Sequence, residues 1–498
     1  MSAIKQLREE FTELRRYQYI SALLGWDTKV NLPPGSYEGR SEQASLMEKL
    51  YHEKLVSEKI GKIISECEKL NDLDTTDSAM VREARRKYDR EVKIPTELVT
   101  EIAKTSVLSH KAWERAKEKS DFSIFEPLLG KMINLEIEVA NKLDTGPTLY
   151  STLIDLFEPG ATYNWIKSVF DDLKPKLMKI IDKLTSSDDK PDFSILTRKY
   201  DPEKQWNFSV EVVKKLQFDT NFGRQDKSVH PFTTTLSSTD TRITTRIKEN
   251  FFSSGIFGSI HECGHALYEM GYKKEIHDTI LADGASMGIH ESQSRMYENI
   301  IGRSKDFWSY WYPILKSNYF KDALKNVKLD EFHRAINTVQ PSYIRVDADE
   351  VTYALHIILR FEIEHDIIEG KINTSEIPSI WNEKFEKMFG IPIMKDSDGM
   401  LQDVHWSGGA FGYFPTYALG NLYAAQIYND ALKKNPSLPA DYKKGEYGNI
   451  LAYLRENVHQ HGRIYQPRDL VKKITNEDLN PDYFLEYIKN KFYPIYRI

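Results

Sequence analysis

In the stretch SIHECGHALYEMG, residues 259–271, two imidazoles stand four positions apart at His261 and His265, with the carboxylate of Glu262 beside the first. Residues four apart on an α-helix lie on one face, one turn apart, so both rings can reach one ion at roughly 2.0–2.1 Å. Glu262 then flanks the open side of the ion. A carboxylate there can accept a proton from an attacking water and pass it to a leaving amine, the general-base step of zinc peptide hydrolysis. With 13 histidines in 498 residues such a pattern can also arise by chance, so the rest of the chain must supply what a hydrolytic site further requires.

Cys263 lies inside the pattern but not on its face. Each helical residue turns about 100°, which puts Cys263 about 200° from either histidine. Ile256, Ile260, Cys263, Leu267 and Met270 follow at steps of four and three, an apolar stripe on the opposite side. Cys263 is expected to be a small core residue. Gly264 is costly inside a helix and is expected to admit the close approach of another backbone.

A hydrolytic metal site usually has three protein ligands and one open position. Downstream candidates for the third are Glu275, His277, Asp283, His290, Glu291 and Glu298. GIHESQSRMYENIIG reads as a second helix packing through Ile289, Met296 and Ile300. On pattern alone Glu291 and Glu298 rank above His290, which adjoins Ile289 and equally suits donation of a hydrogen bond to a carboxylate behind the ligands. A glutamate on a separate helix would resemble the glutamate-ligated zinc peptidases, including thermolysin, neurolysin and the angiotensin-converting enzyme.

The elements that must position these residues are mostly helical. Long amphipathic pattern runs to about Leu184, as in LREEFTELRR (Leu7–Arg16) and around Lys131–Leu143. TSSDDKPD, 185–192, has loop composition. HPFTTTLSSTDTRITTRI, 230–247, crowds Thr and Ile around a turn at SSTD and predicts two short strands. Helical pattern then resumes, broken by the glycine-rich loop SGGAFGYFPTY at 407–417. The whole chain, 1–498, is read as one unit, with 1–190 as a helical N-terminal part and 191–498 as the part that carries the metal motif. No apolar run approaches the roughly 18 residues of a membrane span, and the start is charged and amphipathic. Cys67 and Cys263 are too few for a disulfide framework. A soluble, cytoplasmic protein is expected, with no membrane partner. The net charge of −6 is spread without a basic block, so no nucleic-acid partner is expected.

Six motifs occur in order across residues 230–406: HPF, DTRIT, HECGH, HESQ, IRVDAD and GMLQDVHW. With LGWDTKVNLPPGSYEGRSEQASLMEKL near the start and RENVHQHGRIYQPRDLVKKIT near the end, the chain resembles the carboxypeptidase Taq family of metallocarboxypeptidases over nearly its whole length. The resemblance implies Glu291, in HESQ, as the third ligand. It further implies a mainly α fold split by a deep groove, of the neurolysin and angiotensin-converting-enzyme kind, with a small antiparallel β-sheet beside the active site. Removal of single residues from peptide C-termini, one zinc or cobalt ion per chain, and a homodimer also follow from it. Two departures stand out: Thr475-Asn476 replaces a frequent Thr-Gly, with Asn able to cap a helix in the left-handed conformation, and HDTILADGASMG lacks the usual Gly-Thr-Pro-Leu.

A carboxypeptidase must hold a terminal carboxylate, a task suited to a bidentate guanidinium. The motifs offer Arg345, with Asp347 or Asp349 to hold it, and Arg242 in the strand pair, where a free edge can bind substrate backbone as an added strand. Each has a plain structural alternative, an ion pair for Arg345 and a pairing with Asp240 for Arg242. His230 either contacts substrate or closes a turn. Asp349, Tyr353, His356 and Arg360 share one helix side, a cleft wall or a solvated face. The loop at 405–417 offers His405, Tyr413 and Tyr417 as donors to an oxyanion, although with 28 tyrosines packing is the common duty. His459 and His461, as alternate residues, point apart and are not read as ligands.

The reading is a metal-dependent carboxypeptidase of broad specificity acting on peptides, with His261, His265 and Glu291 on the metal and Glu262 as base. Its rivals are an oligopeptidase that cuts internally and a non-enzymatic helical protein with a structural metal.

Overall fold

The amphipathic pattern at the start folds as one long helix, α1 (Ala3–Val30), which buries Leu7, Phe11 and Leu14 at helical spacing. The pattern around Lys131 folds as α2 (Glu126–Leu143). The strand pair also forms: β2 (Thr233–Ser237) runs antiparallel to β3 (Asp240–Thr245), with Thr233 opposite Ile243, Thr234 opposite Arg242 and Thr235 opposite Thr241. A third strand, β1 (Gly223–Lys227), pairs in parallel with β3, so the sheet is mixed, in the order β1-β3-β2, and not purely antiparallel as expected. Its sequence GRQDK carries no β-branched or aromatic residue, and its neighbour supplies the hydrogen bonds that its composition does not advertise.

The motif helix is α3 (Phe252–Glu269), followed by α4 (Met287–Arg295), which continues as a π-helical turn over Met296–Ile301. Further along come α5 (Tyr353–Ile368) and α6 (Pro467–Thr475), the latter closed by Asn476 in the left-handed conformation, as expected for an asparagine cap. This computed structural model describes residues 2–498, in which helices dominate around the single small sheet. No helix among the described residues is long and apolar enough to cross a membrane.

By its internal contacts the chain forms two compact units, each drawn from three stretches. The first combines Met1–Glu91, Pro191–Ile336 and Tyr423–Leu479; the second combines Val92–Lys190, Asn337–Leu422 and Asn480–Ile498. The border at 190/191 follows the loop read from TSSDDKPD, and residues before Val92 join the stretch that carries the metal motif.

In the first unit, α3 is the central element. Its stripe of Ile256, Ile260, Cys263 and Leu267 is buried as expected, each large aliphatic contributing about 1.5–3 kcal/mol. Gly264 is where α4 crosses: a Cβ there would lie 2.6 Å from the Gln293 carbonyl oxygen and 2.7 Å from Ser294 Cα. That contact brings the HESQ segment against the imidazole helix. In the second unit, α5 is buried on nearly every side, with His356, Arg360 and Glu364 fully enclosed, which excludes a solvated face for that helix.

Candidate metal centre

His261 and His265 stand one turn apart on α3, and the α4 crossing at Gly264 delivers Glu291 to them. Glu291 Oε2 lies 3.7 Å from His261 Nε2 and 3.4 Å from His265 Nε2. Ligand atoms about 2.0–2.1 Å from a tetrahedral ion are separated by roughly 3.3–3.4 Å, so the carboxylate stands close to that spacing from each ring, and all three ligand atoms lie within 4.8 Å of one another. They form the one His, Cys, Asp and Glu group among the described residues with metal-ligating geometry. The donor set fits a divalent ion.

Partners hold each ligand. Glu298, weighed above as a ligand, instead sits on the far side of His261, with Oε2 at 2.9 Å from Nδ1. This leaves Nε2 of His261 for the ion. His290 Nδ1 lies 2.6 Å from His265 Nδ1, and its Nε2 lies 2.8 Å from Glu269 Oε1, the carboxylate contact that its position suggested. Arg295, which the sequence reading passed over, donates from Nε to Glu291 Oε1 at 2.6 Å and reaches Glu298 at 3.4 Å. Glu298 lies in the π-helical turn that follows Arg295.

These contacts set the charges. Burial works against ionisation of Glu291, but Arg295 and His261 outweigh it and hold the carboxyl well below its usual range. Burial, then the neighbouring His290, lowers His265 to about 4 and keeps it a neutral ligand. Burial pushes the Glu262 carboxyl up, offset only in part by His261 and by a hydrogen bond from Thr233. A raised carboxyl suits a group that must take and return a proton near neutral pH. Cys263 is buried with its thiol pushed up by burial, and it stays out of the ligand group.

The residues offered for substrate fall in different places. Thr233 and Thr235 turn towards α3, so Thr234 and its cross-strand partner Arg242 occupy the other face of the sheet. There Arg242 binds Asp240 through Nε and Nη2 and stacks over Trp26 at 4.2 Å. His230 is exposed, and its carbonyl accepts the Ser228 hydroxyl at 2.7 Å in the turn before β2.

Within the second unit, Arg345, His405, Tyr413 and Tyr417 come together. The partner of Arg345 is neither Asp347 nor Asp349: Asp349 caps backbone N–H groups at Val351 and Thr352, whereas Asp403 receives Nε and Nη2 of Arg345, at 2.6 Å for the latter. Arg345 Nη1 donates to Tyr353 at 2.9 Å, and Arg360 Nε donates to the same Asp403 at 2.7 Å. Burial opposes the charge of Asp403, but the two guanidiniums hold its carboxyl well below the usual range. Burial lowers His405 to about 4, so it adds no charge. One carboxylate thus faces two cations in a buried setting. The His405 and Tyr413 rings stack at 5.6 Å, and Tyr413 meets Tyr417 edge-on at 5.1 Å. Asp403 stood in the motif GMLQDVHW, and its motif position was the only signal for it.

Comparison with known proteins identifies the family. The family model of the carboxypeptidase Taq (M32) metallopeptidases matches residues 6–492. The chain belongs to the M32 family. Carboxypeptidase 1 of Bacillus subtilis (strain 168) is 40% identical over 493 residues, covering 98% of each chain. Thermostable carboxypeptidase 1 of Thermus thermophilus is 38% identical over 507 residues, 99% of each. The crystal structure of the M32 carboxypeptidase from Deinococcus radiodurans R1 superposes with a TM-score of 0.97 at 35% identity, covering all of both chains. As an M32 metallocarboxypeptidase the chain is a peptide hydrolase, and the non-enzymatic helical reading is set aside.

Proposed function

We propose that the protein removes single residues from the C-termini of peptides with broad side-chain tolerance, using one zinc or cobalt ion held by His261, His265 and Glu291. The observation that carries the reading is the spacing of those three ligand atoms, with Glu262 next to the first. A divalent ion bound there supplies the Lewis acidity that amide hydrolysis needs. Glu262 accepts a proton from the attacking water and delivers it to the departing amine. Two imidazoles and a carboxylate accept either ion, and neither is favoured by the donor set.

Arg345 is the group proposed to take the terminal carboxylate. Of its five N–H donors, the contacts with Asp403 and Tyr353 use three, which leaves one on each terminal nitrogen for a bidentate acceptor. The surplus positive charge of Arg345 and Arg360 over Asp403 favours an anion. Tyr413 and Tyr417 supply hydroxyl donors for the oxyanion, since burial keeps the Tyr417 hydroxyl protonated. The outer edge of β2, which pairs with no further strand among the described residues, suits backbone pairing with a peptide, with His230 just before the strand and Arg242 on the neighbouring β3. The family resemblance supports a homodimer, and the charged, amphipathic start with only two cysteines supports a cytoplasmic location.

Digestion of a peptide series by metal-reconstituted enzyme, read by mass spectrometry, tests the reading. Sequential loss of single C-terminal residues is expected; internal fragments would instead establish an oligopeptidase. Glu262→Gln should bind metal and lose hydrolysis.

A further inference from the structure

Two hydroxyls on one face of β2 reach two carboxylates on α3. Thr233 Oγ1 lies 2.6 Å from Glu262 Oε2 and 3.0 Å from the Glu262 carbonyl. A hydroxyl has one proton to give, and the shorter contact marks its acceptor. No other group among the described residues hydrogen-bonds to the Glu262 carboxylate, so one oxygen is pinned and the other is left free. Two residues along, Thr235 Oγ1 donates to Glu269 Oε2 at 2.9 Å. Glu269 is not itself a ligand; its other oxygen takes the Tyr272 hydroxyl at 2.8 Å and the Nε2 of His290, whose Nδ1 meets the ring of His265.

We infer that β2 is the positioning strand of this site: Thr233 fixes the Glu262 carboxylate, and Thr235, through Glu269 and His290, fixes the ring of His265. The inference rests on the reading of Glu262 as general base.

Three physical features favour a strand in this role. Successive residues of a strand point to opposite faces, so positions 233 and 235 present their hydroxyls in the same direction at a fixed separation. Threonine is β-branched and stiff at χ1, which leaves the hydroxyl little freedom to leave its acceptor. The register against β3, with Thr233 opposite Ile243 and Thr235 opposite Thr241, then sets where both hydroxyls fall along α3. A free carboxylate on a helix can rotate about several bonds. Pinning one oxygen from outside the helix keeps the other aimed at the proton that it must accept. On the ligand side, the contacts admit one proton placement that suits metal binding: with both rings neutral, His265 donates from Nδ1 to His290 and His290 donates from Nε2 to Glu269, which leaves Nε2 of His265 for the ion.

The test uses the full-length, metal-loaded enzyme with Thr233→Val, Thr233→Ser, Thr235→Val and Glu262→Gln, each checked for its melting temperature and metal content. Valine keeps the shape of threonine and removes the hydroxyl; serine keeps the hydroxyl. Loss of a hydrogen bond to a charged group predicts a kcat about 10- to 100-fold lower in T233V with KM and metal content unchanged. T233S should recover to within about threefold of wild type. T235V should lose its metal to a competing chelator at a concentration about tenfold lower than wild type does. Wild-type kcat in T233V beside an inactive E262Q overturns the proposal, as does equal impairment of T233V and T233S, or unchanged metal retention in T235V. Turnover by E262Q itself would mark a different failure, that of the general-base reading.

Discussion

Glu298 grips His261 from behind, with its Oε2 2.9 Å from Nδ1, while Nε2 of the same ring faces Glu291. A carboxylate in that position fixes the tautomer and raises the basicity of the ligating nitrogen. Burial opposes the charge of Glu298, but the bond from His261 and the guanidinium of Arg295 hold its carboxyl down at about 2, so it is ionised throughout the working range.

Glu298→Gln keeps an acceptor and removes the charge. The dissociation constant of the metal is expected to rise about 10- to 100-fold, with kcat at saturating metal changing less. Competition with a chelator of known affinity measures it, and an unchanged constant would show that Glu298 serves only packing.

Gly264→Ala would push a methyl to within 2.6 Å of the Gln293 carbonyl and 2.7 Å of Ser294 Cα, both backbone atoms that cannot turn aside. Separation of α3 from α4 moves Glu291 away from the imidazoles. Chemical denaturation should show a loss of about 1–3 kcal/mol, together with weaker metal binding. Intact metal affinity in a folded G264A protein would mean that the crossing has room to give.

The two candidate imidazole ligands were legible because their geometry is local: an i, i+4 pair on one helix needs no tertiary knowledge, and the same periodicity assigned Cys263 to the core. The strand pair was legible from its threonines. The groups that hold the site were not, because each is set by packing between distant segments. Asp403 lies 58 residues from Arg345, whereas Asp347 and Asp349 were the near candidates that local reasoning preferred. Glu298 sits seven positions beyond Glu291, near the same helix side, and so was in view as a ligand; that it meets Nδ1 of His261 instead depends on how α4 packs against α3. Strand β1 lacked any compositional mark, since its place comes from β3.

Among the described residues, Asp403 is the only counter-charge that the buried guanidiniums of Arg345 and Arg360 share. Asp403→Asn leaves two enclosed cations uncompensated, and a destabilisation of about 3–5 kcal/mol is expected. The carboxyl is held low in the folded state, so its contribution is fully present above the ordinary carboxylate range and is lost only as pH falls below it. The difference between wild type and variant should therefore stay constant from about pH 5 to 9 by urea denaturation. A difference that vanished near neutrality would contradict this assignment.

Glu364 behaves in the opposite way. It is fully buried on α5 and accepts Trp406 Nε1 at 2.7 Å, the Tyr150 hydroxyl at 2.8 Å and the Gly412 N–H at 2.9 Å, which ties down the loop that carries His405 and Tyr413. Burial raises its carboxyl to about 7, and the three donors offset this only in part. Between its unfolded value of about 4.5 and its folded value, the native state keeps a proton that the unfolded chain has released. Stability must therefore fall as pH rises through that window, by about 3 kcal/mol in full. Glu364→Gln cannot titrate. It loses one of the three bonds, because its amide nitrogen faces a donor, so it is less stable than wild type at pH 5. Its deficit should shrink by about 2–3 kcal/mol on going to pH 8, as wild type meets the cost of the buried charge and the variant does not. Urea denaturation of both proteins at the two pH values decides the matter, and a deficit independent of pH would show that Glu364 titrates in the ordinary carboxylate range.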